Sequence, residues 1–196
     1  MSEQPLHIVV LAAGEGKRMN SDVPKVLQPV GGRPMLEHLV RTACTLDPAC
    51  VHVVVGHGAD RVAELLAELG EERLRTVEQR QRLGTGHAVS QALPDIADGA
   101  RVIVLPGDMP LIRSETLGRF ARLQAPLAVL SFVADEPFGY GRILRDDGQN
   151  VIGIREQRDA TDAEAALREV NSGVLAADAE RLRAWLARAD DANSQA

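Results

Sequence analysis

The sequence predicts an α/β fold in which helices cover both faces of a mostly parallel mixed sheet, giving three layers. Apolar runs alternate with segments of helical periodicity along most of the 196 residues, a pattern typical of repeated strand-helix units. Domains contain roughly 150 residues on average, so one domain is expected. The unusual loops follow the apolar runs, at the sheet edge where such folds bind ligands.

The first elements are predicted from the spacing of apolar residues. Residues 7–13 form an apolar run, which predicts a buried strand. Residues 34–46 carry apolar side chains three or four positions apart, which predicts a helix with one buried stripe. Residues 51–55 form the next apolar run, and the helical pattern at 59–69 stops at Gly70.

The same alternation continues through the middle of the chain. A short strand is predicted at 74–77, followed by a helix at 85–93 that ends before Pro94, because proline cannot continue a helix. The apolar run at 101–105 predicts a fourth strand. A helix is predicted over 114–123, with its first serine as the N-cap.

The last third of the chain has a different pattern. Two short apolar segments, 141–145 and 151–155, flank Asp146-Asp147-Gly148 and predict a β-hairpin. The other predicted elements are a strand over 127–133, a helix over 161–167, a strand over 170–176 and a helix over 179–189.

Composition disfavours several classes of partner. The net charge of -6 and the 3% aromatic content disfavour nucleic acid, whose binding needs basic residues and stacking platforms. No apolar run is long enough to span a bilayer and the N-terminus lacks a signal-peptide pattern, so no membrane partner is expected. Cys44 and Cys50 match no zinc spacing; reduced thiols predict a cytoplasmic location.

The loop after the first strand has the composition of a phosphate-binding loop. It reads Leu11-Ala-Ala-Gly14-Glu-Gly16-Lys17-Arg18-Met19 and continues to Pro24-Lys25. Small residues let backbone N–H groups approach phosphate oxygens, and Arg18 and Lys25 would neutralise a triphosphate. Lys17 and Lys25 are the chain's only lysines, as expected where a site needs a compact ammonium. The spacing fits neither GxGxxG nor GxxxxGK[ST].

Further motifs follow in order. They are Gln79, Leu83-Gly84-Thr85-Gly86-His87-Ala88, Pro106-Gly107-Asp108-Met109-Pro110-Leu111, Gly139-Tyr140-Gly141-Arg142-Ile143, Glu156 and Asn171-Ser172-Gly173. Together with LAAGEGKRM and PKVL, they resemble the sugar-phosphate nucleotidyltransferases. The resemblance is strongest to the uridylyltransferase domain of the bacterial bifunctional N-acetylglucosamine-1-phosphate uridylyltransferase/glucosamine-1-phosphate acetyltransferases, from about residue 7 to residue 185.

This resemblance implies a Rossmann-like nucleotide-diphospho-sugar transferase fold with the hairpin as a small sugar-binding insertion. It implies Mg²⁺-dependent uridylyl transfer from UTP to N-acetyl-α-D-glucosamine 1-phosphate, giving pyrophosphate and UDP-N-acetylglucosamine for cell-wall and lipopolysaccharide synthesis. Arg18, Lys25 and Asp108 are the implied catalytic residues, with Asp108 on the metal. The implied substrate-binding residues are Leu11, Ala12, Ala13, Gly14, Lys25, Gln79, Gly84, Thr85, Pro106, Gly107, Asp108, Gly141, Glu156 and Asn171.

Two of these groups suit the nucleotide side of the reaction. Asp108 follows the strand at 101–105, where a carboxylate can hold Mg²⁺ between reacting phosphates; the alternative is a turn or cap residue. Gln79 offers an amide donor and acceptor that suit a uracil edge, and Gly84 and Thr85 begin a helix with free backbone groups. The alternative here is a capped helix beside a surface glutamine.

Gly141, Glu156 and Asn171 suit the sugar side. A bare backbone amide, a carboxylate and a side-chain amide can together recognise hydroxyls and an acetamido group. Taken singly, Glu156 would more often be a solvated charge on a hairpin.

The resemblance also predicts missing parts. The family's domain continues past Ala196 and includes an asparagine that partners the aspartate on the metal, so we expect an incomplete single domain with weakened turnover. The acetyltransferase half, a left-handed β-helix that trimerises full-length relatives, has no counterpart, and a monomer or weak oligomer is expected. Two alternatives remain open. One is a nucleotidyltransferase for another sugar phosphate or base, and the other is a nucleotide-sugar-binding module with little turnover.

Overall fold

The computed structural model of the chain describes residues 4–14, 21, 23–56, 58–81 and 83–188. The strands are β1 (Leu6–Leu11), β2 (Pro29–Val30), β3 (Arg33–Pro34), β4 (Cys50–Val55), β5 (Leu74–Glu78), β6 (Arg101–Pro106), β7 (Leu127–Val133), β8 (Arg142–Arg145), β9 (Val151–Arg155) and β10 (Glu169–Asp178). The α-helices are α1 (Met35–Cys44), α2 (Ala59–Glu68), α3 (Gly84–Ala92), α4 (Ser114–Arg122), α5 (Asp162–Ala165) and α6 (Ala179–Leu186).

One sheet organises the molecule, with strand order β5-β4-β1-β6-β10-β8-β9 and with β7 also paired to β10. Strands β5, β4, β1 and β6 are parallel and form what we name the parallel half. Strand β10 is antiparallel to β6, β7 and β8, and β8 and β9 form a hairpin; β7 to β10 are the antiparallel half. The predicted α/β fold is confirmed, with the hairpin built into the main sheet.

Side chains of the parallel half alternate between two apolar cores, one on each face of the sheet. In β1, Ile8 enters the core formed with α1, α2 and α4, whereas Val9 enters the core formed with α3 and α6. In β6, Ile103 and Val102 divide in the same way. Because successive side chains of a strand point to opposite faces, continuous apolar runs produce the predicted three layers. No helix within the described residues is long and apolar enough to cross a membrane.

Strand β10 joins the two halves. Its end at Leu175–Ala177 lies between β6 and β7, and its beginning at Glu169–Asn171 lies between β7 and β8. The pairing with β7 shifts register between Asn171 and Leu175, where Gly173 has a φ of 83°. Such a bulge bends a strand and redirects its side chains. The bulge therefore lets one strand serve both halves of the sheet.

Two local predictions need correction, and one small element was not predicted. Arg113, and not Ser114, occupies the N-cap position of α4, and no side chain caps that helix. Helix α5 has four residues instead of the predicted 161–167, since none of its side chains is buried and packing does not extend it. The short hairpin of β2 and β3 was not predicted, because each strand contains two residues and leaves no periodic signal.

Candidate active site

The backbones of β1 and β6 approach closely where both strands end. The N–H of Gly107 donates to the carbonyl oxygen of Leu11 at 2.9 Å. A Cβ atom at position 107 would lie 2.7 Å from that oxygen and 3.0 Å from Cγ1 of Val26. Only glycine fits this approach without displacing backbone. The base of the site is therefore tightly packed. Pro106, the last residue of β6, is partly exposed there.

The first loop leaves this base through Ala12, Ala13 and Gly14. The Ala12 N–H donates to the carbonyl oxygen of Val54 at 2.8 Å, and both alanines are buried. Gly14 is exposed, and a Cβ atom there would meet no described atom within 4 Å. Among the described residues, the backbone thus passes from the core to an exposed position at Gly14. Arg18 lies outside the described residues.

Lys25 and Asp108 lie next to each other at this edge. Lys25 Nζ is 2.5 Å from Asp108 Oδ2, and the two side chains are 42% and 35% exposed. Val26, the next residue, is buried in the core, so the short 3₁₀ turn of Lys25–Leu27 holds Lys25 at the rim. Two loops 83 residues apart in sequence thereby bring a cation and a carboxylate together. A close, solvent-accessible pair of this kind can exchange partners when a charged ligand arrives.

Asp108 has the chemistry of a limited metal site. Within the described residues, no group of three or more His, Cys, Asp or Glu side chains could hold a metal ion. Mg²⁺, however, commonly binds through one or two carboxylates together with substrate phosphates and water. A single, partly exposed carboxylate beside a predicted phosphate loop fits that mode of binding. It does not fit a metal cage built entirely from protein side chains.

Gln79 organises the beginning of α3. Its side-chain Nε2 donates to the carbonyl oxygen of Gly84 at 3.2 Å and to Nδ1 of His87 at 3.0 Å. The residue is only 5% exposed, so the alternative of a surface glutamine is wrong. Gly84, with a φ of 89°, and Thr85 are exposed in the first turn. The buried amide thus anchors a helix start whose exposed backbone groups can contact a ligand.

Gly141, Glu156 and Asn171 come together although they lie on three separate segments. The Asn171 N–H donates to the carbonyl oxygen of Gly141 at 2.8 Å. A Cβ atom at Gly141 would lie 3.1 Å from Glu156 Oε1. The absence of a side chain at position 141 therefore gives this carboxylate its place, and a backbone bond holds Asn171 beside them.

The bulge of β10 connects this group with the first. The Gly173 N–H donates to Asn171 Oδ1 at 2.9 Å, which orients the Asn171 amide. A Cβ atom at Gly173 would lie 2.9 Å from Cγ of Pro106. Since Pro106 stands two residues before Asp108, the bulge packs on the turn that carries the carboxylate. The predicted nucleotide and sugar residues thus line one continuous edge of the sheet.

Sequence reasoning missed Arg142 and Gln157. Arg142 is 1% exposed, and its guanidinium donates to Gln157 Oε1 at 2.8 Å. Arginine is almost never fully buried unless its charge or its donors are satisfied. Its position beside Gly141, inside a quoted motif, was the signal that could have found it. Burial itself is a tertiary property that the motif does not contain.

His52 and Glu169, whose pKa values are strongly shifted, lie away from Lys25 and Asp108. Burial, followed by the neighbouring His7, lowers the pKa of His52 from 6.5 to about 4. His7 Nδ1 and His52 Nε2 are 3.0 Å apart, and His7 lies near the start of β1, far from the edge where that strand ends. In β10, hydrogen bonds from Arg145 and Ser131 lower the pKa of Glu169 from 4.5 to about 2. We therefore expect both groups to affect the free energy of unfolding.

Comparison with known sequences places this geometry among nucleotidyltransferases. Residues 8–189 match the MobA-like NTP transferase domain. The bifunctional protein GlmU of Xanthomonas axonopodis pv. citri is 52% identical over 192 residues, which are 98% of this chain and 42% of that protein. GlmU of Alkalilimnicola ehrlichii is 53% identical over 195 residues, covering 99% of this chain and 42% of the relative. The chain therefore spans less than half the length of these curated relatives.

Solved structures share the fold at lower identity. A Bacillus anthracis protein assigned as a glucose-1-phosphate thymidylyltransferase, in complex with a sucrose, superposes with a TM-score of 0.75 at 21% identity, covering 95% of this chain and 77% of that one. HddC from Yersinia pseudotuberculosis, complexed with GMP-PN, superposes with a TM-score of 0.68 at 20% identity, covering 89% and 77%. These similarities confirm the predicted nucleotidyltransferase fold.

Proposed function

This chain belongs to the MobA-like NTP transferase domain family, and we propose on that basis that it transfers a uridylyl group from UTP to N-acetyl-α-D-glucosamine 1-phosphate. The products are pyrophosphate and UDP-N-acetylglucosamine, a precursor for cell-wall and lipopolysaccharide synthesis. The motifs that resemble the uridylyltransferase domains support the choice of both substrates. Cys44 and Cys50 are free thiols, which suits a reducing compartment such as the cytoplasm.

One observation carries the proposal: Lys25 Nζ lies 2.5 Å from Asp108 Oδ2. A mobile cation beside a carboxylate, at the end of parallel strands, is the arrangement needed to hold a triphosphate and a divalent ion together. The glycine-lined backbone at Gly14 opens at the same edge. The part of this edge with Gly141, Glu156 and Asn171 would then receive the second substrate.

The reaction needs no covalent intermediate on the protein. A phosphate oxygen of the sugar phosphate forms a bond to the α-phosphorus of UTP, while the bond from that phosphorus to the β-phosphate oxygen breaks and pyrophosphate leaves. Catalysis then consists of alignment and charge neutralisation. Lys25 stabilises the negative charge that builds up on the departing phosphates, because its exposed ammonium can move from Asp108 to a phosphate oxygen.

Asp108 is the residue that would hold Mg²⁺. When bound, this ion supplies positive charge that offsets the charge of the phosphates. The carboxylate is already near Lys25, so phosphates that attract Lys25 would free Asp108 for the ion. Arg18, predicted to be the second cation, completes the proposed phosphate site.

Glu156 and Asn171 would read the sugar. Gly141 leaves room beside the Glu156 carboxylate, and the Asn171 amide is oriented by the Gly173 N–H. Groups aligned before the ligand arrives lose little entropy on binding. A sugar lacking the matching hydroxyl or acetamido group would leave these polar groups unpaired and would therefore bind poorly.

The decisive experiment measures pyrophosphate release with Mg²⁺, a panel of nucleoside triphosphates and a panel of sugar 1-phosphates. Calorimetry with the corresponding nucleotide sugars accompanies it. Release with UTP and N-acetylglucosamine 1-phosphate above all other pairs is the expected result. Preference for another pair would assign another transferase specificity, whereas tight UDP-N-acetylglucosamine binding without any release would assign a binding module.

A further inference from the structure

We propose that Arg142 is a positioning residue for the sugar phosphate: its buried guanidinium holds the segments that carry Gly141 and Glu156 in one arrangement. The inference rests on the proposed function, because it assigns a role within the same site. Arg142 does not contact the substrate in this proposal. It acts through the backbone and side chains that it binds.

The guanidinium makes a dense set of hydrogen bonds. Arg142 Nη2 donates to Gln157 Oε1 at 2.8 Å and to the carbonyl oxygen of Ala165 at 3.2 Å. Nε donates to the same Ala165 oxygen at 3.3 Å, and Nη1 donates to the carbonyl oxygen of Tyr140. These three acceptors are neutral oxygens. The side chain therefore works as a rigid fork of donors, a geometry that the single ammonium of lysine cannot reproduce.

Two of the three side-chain partners lie one residue from a predicted sugar-binding residue. Tyr140 precedes Gly141, and Gln157 follows Glu156. The backbone of Arg142 itself pairs with Val170, the residue before Asn171. Through its side chain and its backbone, this one residue thus connects three segments that meet only in the folded protein.

Gln157 extends the connection to the loop before β8. Its Oε1 accepts the Gly139 N–H at 3.1 Å as well as the Arg142 bond. This oxygen therefore links the turn after β9 to the loop that precedes Gly141. Both loops contain exposed residues and Phe138 is 83% exposed, so apart from the ring contact between Tyr140 and Phe132 apolar packing contributes little to holding them. Hydrogen bonds to Arg142 hold these loops in place instead.

Burial makes this arrangement sensitive to substitution. Arg142 is 1% exposed, and removing the guanidinium leaves the Tyr140, Gln157 and Ala165 oxygens without these donors. Loss of these bonds favours local rearrangement, even though Gln157 Oε1 keeps the Gly139 N–H, and the substrate must then supply the ordering free energy. The expected consequence is weaker sugar-phosphate binding with nucleotide binding unchanged.

The test compares Arg142→Lys and Arg142→Met with the wild-type protein. We expect the KM for the sugar phosphate to rise by about tenfold, since each 1.4 kcal/mol corresponds to a factor of ten. The KM for UTP should stay within about twofold, because Lys25 and Asp108 lie on the other side of the site. Calorimetric titration with UDP-N-acetylglucosamine and with UTP gives the same comparison without turnover.

Gln157 supplies the second pair of variants, which remains informative if Arg142 substitutions prevent folding. Gln157→Met removes the acceptor and should weaken sugar-phosphate binding in the same way. Gln157→Glu keeps an acceptor for Arg142 and should retain binding close to wild type. The matched control is Arg145→Lys, an arginine of the same strand whose partner is Glu169; it should leave both KM values unchanged.

The outcomes separate the two proposals. If Arg142→Lys and Gln157→Met lower the melting temperature but leave the sugar-phosphate KM unchanged, Arg142 is only structural and the inference is wrong. Equal effects of Gln157→Met and Gln157→Glu would also overturn it. If the wild-type protein neither turns over nor binds any sugar phosphate or nucleotide sugar, the proposed function fails, and the inference falls with it. If the wild-type protein prefers another sugar phosphate, the KM values of the variants are compared for that substrate, and the same results support or overturn the inference.

Discussion

The two halves of the sheet hold their parts of the candidate site by different physical means. In the parallel half, Gly107, Leu11 and Val26 are fixed by close contact, with a Cβ position only 2.7 Å from a backbone oxygen. In the antiparallel half, Arg142 holds segments of the site through hydrogen bonds, whereas Arg145 binds Glu169. A close-packed contact cannot accept an added atom without displacing its neighbours. Hydrogen bonds from an arginine are less sensitive to added volume, but they depend on the geometry of the guanidinium donors.

This difference suggests a division of labour. In the proposed function the parallel half would surround the phosphates, where a small displacement of Lys25 or Asp108 would misalign the reacting atoms. The antiparallel half would surround the sugar, whose hydroxyls its polar groups would have to match. Substitutions in the two halves should therefore change different kinetic constants, and the following predictions test that separation.

The largest effect is expected at Lys25. Lys25→Met should lower kcat by about 10²- to 10³-fold, because loss of one group that stabilises transition-state charge typically costs that much. Stopped-time assays of pyrophosphate release measure it, and calorimetry should show sugar-phosphate binding close to wild type. Lys25→Arg is the matched control, and its kcat should lie between those of the wild type and of Lys25→Met. Full turnover by Lys25→Met would exclude Lys25 from catalysis and break the proposed division.

His52 should make the parallel half sensitive to acid. Its pKa is lowered from 6.5 to about 4, so the unfolded chain binds the proton more readily and stability falls as the pH drops from 6.5 towards 4. A shift of this size corresponds to about 3 kcal/mol. His7, Asp95 and Arg75 are the charged or titratable neighbours.

Chemical denaturation at several pH values, for wild type and for His52→Gln, measures this contribution. The variant should lose most of the dependence between pH 6.5 and 4, even if its stability at pH 7 is lower. An unchanged pH profile would show that His52 does not titrate in this window. The neighbouring His7→Gln variant distinguishes the effect of burial from that of the histidine pair.

Glycine substitutions compare the two halves directly. Gly107→Ala should lower the free energy of unfolding by about 1–3 kcal/mol, because the added atom meets a backbone oxygen and a core side chain. Gly141→Ala should cost less, since the added Cβ atom would meet the side-chain atoms Ile154 Cγ2 at 2.9 Å and Glu156 Oε1 at 3.1 Å. Thermal unfolding measures both.

Gly118→Ala in α4 is the control, because its Cβ would meet only ordinary contacts with Arg122. Alanine at this helical position should be neutral or stabilising by about 0.5–1 kcal/mol. Gly141→Ala should weaken sugar-phosphate binding although its unfolding changes little. A larger melting-temperature loss for Gly141→Ala than for Gly107→Ala would contradict the contrast between packing and hydrogen bonding.

The smallest effect is expected at Arg145. Its Nη2 and Nε donate to the two Glu169 oxygens at 2.7 Å each, and with Ser131 they lower the pKa of Glu169 to about 2. The contribution is present above pH 4.5 and is lost as the pH falls through 2. Since solvent screens such exposed pairs, Arg145→Met should lower stability at neutral pH by less than Gly107→Ala does.

Acid titration of the Glu169 carboxyl by NMR checks this prediction. In Arg145→Met the pKa of Glu169 should return towards its ordinary value. His52 and Glu169 titrate over different pH ranges. Lowering the pH should therefore destabilise the parallel half, through His52, before it breaks the contact of Glu169 with Arg145. Loss of stability confined to pH values below 4 would contradict that order.

Much of the parallel half could be predicted, because its signals are local. The apolar run ending near Leu11 and the run at 101–105 are continuous, and continuous apolar runs read as buried strands. The Asp108 turn was predicted to follow its strand for the same reason. The exact neighbours could not be predicted: nothing in the spacing of Lys25 and Asp108 shows that they lie 2.5 Å apart.

The antiparallel half was predicted less completely. The hairpin and the strand over 170–176 were found, but the bulge at Gly173 and the double pairing of β10 were not. In the parallel half, the bonds from the Gln79 amide nitrogen to Gly84 and His87 were not predicted either, and the contact of Gln79 with the base stays a prediction. These features depend on partners distant in sequence, which local patterns do not encode.

The sequence by itself determined the alternation of strands and helices, the glycine and proline turns and the residue types available for phosphate and sugar chemistry, because these follow from local spacing and composition. Only the tertiary structure decided that Lys25 meets Asp108, that Gly141 adjoins Glu156 and Asn171, and that Arg142 is buried beneath them. Each of these contacts joins segments distant in sequence, which come together only when the whole chain folds.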